Sequence, residues 1–139
     1  MVRERGLETV FHFTGFQDRP ITYMQSFDMF VLPSLSEGLS SAILNAMACS
    51  LPVIATKVGG IPELVAHDVN GLLVPPGDPA SLARAIERLV ADPELSFRMG
   101  QHGRKRVEEQ FTLKRKILET EALCRSFLGR EAAKSHADA

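Results

Sequence analysis

Cysteine is scarce in this chain, and the two that occur, Cys49 and Cys124, lie far apart with no CxxC spacing. That argues against a disulfide framework and a structural zinc site. Cys49, at an apolar helix end, reads as a small core residue rather than a nucleophile. No apolar run reaches the roughly 18 residues of a membrane span. Arg3, Glu4 and Arg5 lead into no long apolar core, so the opening residues do not read as a signal peptide, and the cytoplasm is the expected location. An excess of charge of one sign is also missing: the net charge is −1, which argues against binding driven by nucleic-acid phosphates. No G-x-G-x-x-G follows the first strand, which weakens a dinucleotide oxidoreductase reading. There is no internal repeat and no low-complexity linker. What remains is 139 residues, 45% hydrophobic and 24% charged, as expected of one soluble globular domain.

The chain comes to a point between Pro33 and Ala55, PSLSEGLSSAILNAMACSLPVIA. A short apolar strand, Met29 to Leu32, runs into the polar loop Ser34-Leu35-Ser36-Glu37-Gly38. That loop opens a helix predicted over about Leu39 to Ala48. Gly38 lets the backbone come close to a ligand, and the free N–H groups of the first helical turn, with Ser40 and Ser41 beside them, point above the strand's carboxyl end. The helix dipole favours an anion there, and Glu37 can accept hydroxyl hydrogen bonds at the same rim. An anion that carries hydroxyl groups, such as a nucleotide sugar, suits this rim. On these residues alone the stretch reads equally well as an ordinary strand-to-helix turn with a flexible glycine.

Around it the elements follow in order. Gly6 is a helix stop after a charged start. Val10 to Thr14 (VFHFT) alternates and is rich in β-formers, predicting a strand ended by Gly15, with His12 structural or solvent-facing. Asp18 is expected to cap a short helix over about Ile21 to Phe27, with Pro20 near its first turn. Leu51 to Thr56 reads as a strand buried on both faces of a parallel sheet. The turn Val58-Gly59-Gly60 leads from it into a short helix from Ile61. Right-handed crossovers would put both strand-to-helix turns on the carboxyl edge of the sheet, where ligands bind. A last strand, Gly71 to Val74, follows a turn at Asp68 to Asn70. Asp78-Pro79 and Asp92-Pro93 each start a helix. The first shows an apolar stripe of Leu82, Ile86, Leu89 and Val90. The second runs to about Gln110 with Leu95, Met99 and Val107 inward, and its basic residues, Arg106 among them, read as a solvated face. A final helix over about residues 113–130 carries a wide apolar face of Leu113, Ile117, Leu118, Leu123, Cys124, Phe127 and Leu128. The tail, 132–139, is expected to be disordered. The class is α/β: a Rossmann-like parallel sheet of about four strands flanked by helices, one domain over residues 1–131.

Taken in order, FHFTGF, FVLPSLSEGLSSAILNAMACSLPVIAT, VGGIPELV and NGLLVPPGDPASLARAI resemble the carboxyl-terminal domain of the group 1 glycosyltransferases, the retaining family 4 enzymes of the GT-B fold. The likeness runs from about Val10 to Phe111. It implies a partial GT-B carboxyl-terminal domain whose ligand is a nucleotide-diphosphate sugar, with no metal and no separate cofactor. In that family a Glu-x7-Glu pattern spans the central loop and helix. Its first glutamate matches Glu37, held to contact the donor sugar's hydroxyls, and the amides after it, Gly38, Leu39 and Ser40, would receive the diphosphate. The second position holds Asn45, where the family's carboxylate accepts from both ribose hydroxyls. An amide there loses charge-assisted strength of about 1 kcal/mol or more. Gly59, Gly60 and Glu63 match the GGxPE turn on the other wall of the donor cleft, and Gly15 and Phe16 match the loop that passes near the nucleobase.

The resemblance leaves out the amino-terminal acceptor domain and the first two strands of the donor domain, with the Arg and Lys that in the family neutralise the leaving diphosphate. Loss of such cations can add several kcal/mol to the barrier, so the chain alone is expected not to transfer sugar. If the parent sheet has the order 3-2-1-4-5-6, Met29–Leu32 shows an open apolar edge. Either Val10–Thr14 moves in beside it, or, as the wide face of the last helix also predicts, the edge is covered in a homodimer or a strand-swapped dimer, or by a partner chain that supplies the missing domain. No nucleic-acid partner is expected, and any peripheral membrane contact would come through the missing domain. Two function classes follow. One is the donor-binding half of a retaining glycosyltransferase; the other is a non-catalytic binding or assembly module that associates through its open edge and last helix.

Overall fold

A computed structural model describes residues 1–135, with side chains through Phe127. Three strands, β1 (Phe30–Leu32), β2 (Val53–Thr56) and β3 (Gly71–Val74), form one parallel sheet in the order β1-β2-β3. The helices are α1 (Pro20–Met24), α2 (Ser41–Ala48), α3 (Ile61–Leu64), α4 (Pro79–Ala91), α5 (Pro93–Gln110) and α6 (Leu113–Ser135), after a 3-10 turn at Arg3–Arg5 that Gly6 ends in a left-handed conformation. All four residues of β2 are buried, as a central parallel strand covered on both faces requires. On one face Ile43, Ala46 and Met47 of α2 pack with Val53, Ala55, Ile61 and Leu64. On the other, Ile54, Leu72 and Val74 pack with Ala85, Leu89 and Met99. Burying a side chain of the size of Ile43 or Met47 contributes about 1.5–3 kcal/mol, so the inner face of α2 anchors the loop before it. Helix α5 sits directly on the corner between α2 and β2, because a Cβ at Gly100 would overlap the carbonyl oxygen of Ser50.

The α/β class with a parallel sheet is borne out; the strand count is not. Val10 to Thr14 form no strand. The segment is exposed, with the Phe11 and Phe13 rings stacked on each other at 6.5 Å. Alternation and β-propensity make a strand only where a neighbour accepts its backbone bonds, and this segment does not move in beside β1. The open edge expected at β1 is observed. The Phe30 N–H donates to the Pro52 carbonyl at 3.0 Å, so the pleat turns the N–H and C=O of Val31 outward, where no described residue meets them. The far edge is partly closed. The Leu73 N–H donates to Nδ1 of His67 at 3.0 Å, and the Asp68 N–H donates to the Gly71 carbonyl at 2.9 Å. The ring proton is thereby placed on Nε2, 3.3 Å from Asp68 Oδ2, while Asp68 Oδ1 accepts from Arg88 at 2.6 Å.

Several boundaries shift for local reasons. Pro20 takes the first helical position of α1, so the cap position falls on Arg19, and Asp18 caps nothing. In α4, Ala85 is buried and Val90 is 64% exposed, because the helical step carries residue 90 off the stripe of Leu82, Ile86 and Leu89. Helix α6 runs past residue 130 to Ser135 through Ala132, Ala133 and Lys134, all strong helix formers. The rest of the expected tail, residues 136–139, and the Leu128 side chain lie outside the described residues. The apolar face of α6 is uncovered, with Leu113, Ile117, Leu118, Leu123 and Phe127 between 55% and 72% exposed. No helix among the described residues is long and apolar enough to cross a membrane.

Both Asp-Pro starts behave as read: Asp78 accepts from the Ser81 N–H at 3.0 Å and Asp92 from the Leu95 N–H at 2.9 Å. The Ser81 hydroxyl also donates to Asp78, and together with the Ser81 amide it holds that carboxyl below its ordinary value of 3.8. A depressed folded-state pKa stabilises the fold above the unfolded value and ceases to do so as pH falls through the folded one. Thermal melts in the acid range below pH 3.8 should therefore show a loss of stability that Asp78→Asn reduces. Acid limbs that superpose would show that Asp78 has no such part.

Candidate functional site

Three turns gather at the carboxyl edge of the sheet, and the first two close on each other. The turn after β2 carries Gly59 at φ +50°, where a Cβ would overlap the carbonyl oxygen of Glu37. At Gly60 a Cβ would stand 3.1 Å from the Gly38 carbonyl oxygen and 3.4 Å from Leu39 Cδ1. Only a glycine fits the first of these positions, on conformation and on space alike. Thr56, buried at the end of β2, donates its hydroxyl to the Ser34 carbonyl and ties the loop after β1 to the central strand. The Ser34 hydroxyl donates to Glu37 Oε2 at 3.3 Å, which holds the glutamate half-buried at the rim.

Behind that rim, α2 begins two residues later than the pattern predicts. Ser40 is its N-cap, buried and in an extended conformation, with a side chain that caps nothing. Leu44 is the first helical residue whose amide finds an acceptor, the Ser40 carbonyl at 3.3 Å. The amides of Ser41, Ala42 and Ile43 have none among the described residues. Free N–H groups and the positive end of the helix dipole therefore coincide at one point, an arrangement that attracts an anion. Ile43, Ala46 and Met47 are buried, which leaves Ser41 and Asn45, one turn apart, on the open face of the helix. On the facing wall, Glu63 is exposed on α3, and its carbonyl accepts from Arg106 at 2.9 Å.

The structure thus brings together Glu37, Gly38, Leu39, Ser40, Gly59 and Gly60, with Asn45 and Glu63 on the two flanking helices. It does not bring in Gly15 and Phe16. Gly15 has nothing within 4 Å of its Cβ position and Phe16 is 91% exposed, since the segment before α1 has no element to lean on. Sequence reasoning missed Ser34 and Thr56, which position the loop, and Arg106. Only Ser34 left a signal, its three-residue spacing from Glu37. No cluster of His, Cys, Asp or Glu suited to a metal occurs among the described residues. A cavity of about 570 Å³ opens at the opposite edge of the sheet, between Phe27, Met29, Pro52 and Phe97. Its one charged lining residue is Asp28, which repels an anion.

A sequence profile of the glycosyl transferases group 1 family matches residues 1–106. The chain belongs to that family. This group 1 chain is 34% identical over 123 residues to N-acetyl-alpha-D-glucosaminyl L-malate synthase of Bacillus anthracis, covering 88% of the chain and 32% of that protein. Sucrose-phosphate synthase of Thermosynechococcus elongatus matches with a TM-score of 0.86 and 36% identity over 93% of the chain and 33% of its own. HepE of Anabaena, solved in complex with UDP-glucose, matches with a TM-score of 0.81 and 30% identity over 87% of the chain and 34% of its own. The chain spans about a third of the length of these relatives. The expected family is borne out, and the match begins nine residues before the predicted start at Val10.

Proposed function

We propose that this group 1 chain is the donor-binding half of a retaining glycosyltransferase and takes a nucleotide-diphosphate sugar at the amino end of α2. The supporting observation is the closure of the Gly59–Gly60 turn on Glu37 and Gly38, which sets a carboxylate beside free helical amides. The amides of Gly38 through Ile43 receive the diphosphate, where they also stabilise the charge that builds on it as the glycosyl bond breaks. Glu37 accepts from the sugar hydroxyls, and Asn45, in place of a carboxylate, accepts one ribose hydroxyl and donates to another. Gly59, Gly60 and Glu63 form the opposing wall. In this reading the chain works in the cytoplasm. Transfer requires an acceptor half, carried by a longer chain or a partner subunit. In this reading the chain by itself binds without transferring, for want of that acceptor half. No metal or further cofactor enters this scheme.

Titration calorimetry with UDP, GDP and ADP sugars tests the reading. One of them should bind, and Glu37→Gln should weaken that sugar nucleotide about tenfold while leaving the free nucleoside diphosphate almost unchanged, as expected for one lost charged hydrogen bond. No heat with any donor in the wild type would sink the proposal. It would leave the second reading, a non-catalytic assembly module, which the uncovered apolar face of α6 and the open edge of β1 favour. In that reading the two surfaces join copies into a homodimer or receive a partner chain.

A further inference from the structure

We infer that Arg106 is a positioning residue of the donor cleft, fixing α3 and its Glu63 against α2. This rests on the donor-binding reading and names what holds the second wall in place. Helix α3 has four residues, too few to be stable alone, so bonds from outside must set its position. Two side chains supply them at consecutive carbonyls of its last turn, the groups a helix leaves without partners. Buried Asn70 donates from Nδ2 to the Leu64 carbonyl at 3.1 Å and accepts from the Ala66 N–H on Oδ1 at 2.6 Å. Arg106 reaches across from α5 and donates from Nη2 to the Glu63 carbonyl at 2.9 Å. Its charge also meets the negative end of the peptide dipoles.

The two differ in what they connect. Asn70 belongs to the loop that α3 itself runs into, and so closes a local turn. Arg106 stands 43 residues away on a helix that is seated on α2, where a Cβ at Gly103 would stand only 3.3 Å from Met47 Cγ. It therefore makes α5 a strut between the two walls of the cleft. The guanidinium is held for this task. Its central carbon lies 6.0 Å from the centre of the Phe111 ring, and its Nε is enclosed with no acceptor among the described residues. An unbonded buried N–H is unfavourable, so the contacts to Phe111 and Glu63, and not a bond at Nε, decide where the group sits. The sequence reading of Arg106 as part of a solvated basic face is corrected: the residue is half-buried and committed.

The test uses the whole chain with two variants. Arg106→Met keeps the stem over Phe111 and removes the donor; Arg106→Lys keeps one donor. In Arg106→Met, hydrogen exchange at the amides of residues 63–66 should speed up about tenfold while α4 exchange is unchanged, and the Kd for whichever of the UDP, GDP and ADP sugars the wild type binds should rise about tenfold. Arg106→Lys should restore most of both. Wild-type affinity in Arg106→Met, with unchanged α3 exchange, would overturn the inference. So would faster exchange spread evenly over all elements, which would assign Arg106 to general stability. A wild type that binds none of the UDP, GDP and ADP sugars, while Arg106→Met still loosens α3, would overturn the donor-binding reading and leave the positioning of α3 standing.

Discussion

Gly59→Ala is expected to abolish binding of every sugar nucleotide and to cost about 2–4 kcal/mol of stability. Two separate penalties meet at this residue. The backbone is left-handed, at φ +50°, and the new methyl group would overlap the Glu37 carbonyl oxygen, a backbone atom that cannot turn aside. The second turn must then back away from the first, which removes one wall of the cleft and frees the loop that presents Glu37. Gly77 separates the two penalties. It has φ +70° but nothing within 4 Å of its Cβ position, so Gly77→Ala should cost only the backbone part, about 1 kcal/mol, and leave binding intact. Calorimetry and denaturant melts on both variants decide the matter. Equal losses in the two would mean that strain alone matters and that the turns do not press on each other.

The second large effect is structural. Gly100→Ala should lower stability by about 3 kcal/mol and the melting temperature by roughly 10 °C. Here the conformation is ordinarily helical and the cost is entirely steric. A Cβ would overlap the carbonyl oxygen of Ser50, itself held at φ +60°, so α5 must lift off the corner between α2 and β2. Met99 of the α4-side core and the Gly103–Met47 contact move with it. Circular dichroism melts check this. A melting temperature within about 2 °C of the wild type would show that α5 rides farther from α2 than the contact implies.

These two glycines mark the boundary of what the residues disclose by themselves. Asp78-Pro79 and Asp92-Pro93 announce their helices because a cap bonds three residues along, and Leu51 to Thr56 announces a central strand because continuous apolar β-branched residues fit little else. The glycine turn before α3 was legible as a turn, and the parallel topology placed it at the right edge. What could not be read were bonds between distant positions: the seat of Gly100 on Ser50, Thr56 on Ser34, and Arg106 on Glu63. Val10 to Thr14 failed for the opposite reason, since its local pattern was strong and the neighbour it required was missing. Phe16 shares that fate: a motif names a residue, but only packing delivers it to the cleft.

The two margins of the sheet differ, and this sets how far copies could join by backbone pairing. On the β3 side the imidazole of His67 and the amide of Asp68 already occupy the Leu73 N–H and the Gly71 carbonyl, so an incoming chain finds no alternating donor and acceptor row there. Among the described residues, Val31 on the β1 side keeps both its backbone N–H and its carbonyl available. Two molecules meeting there would use up both free margins at once and present a six-stranded ribbon stoppered at each end, three strands from each copy. Strand addition would then halt at a pair, and no open-ended fibre could grow from it.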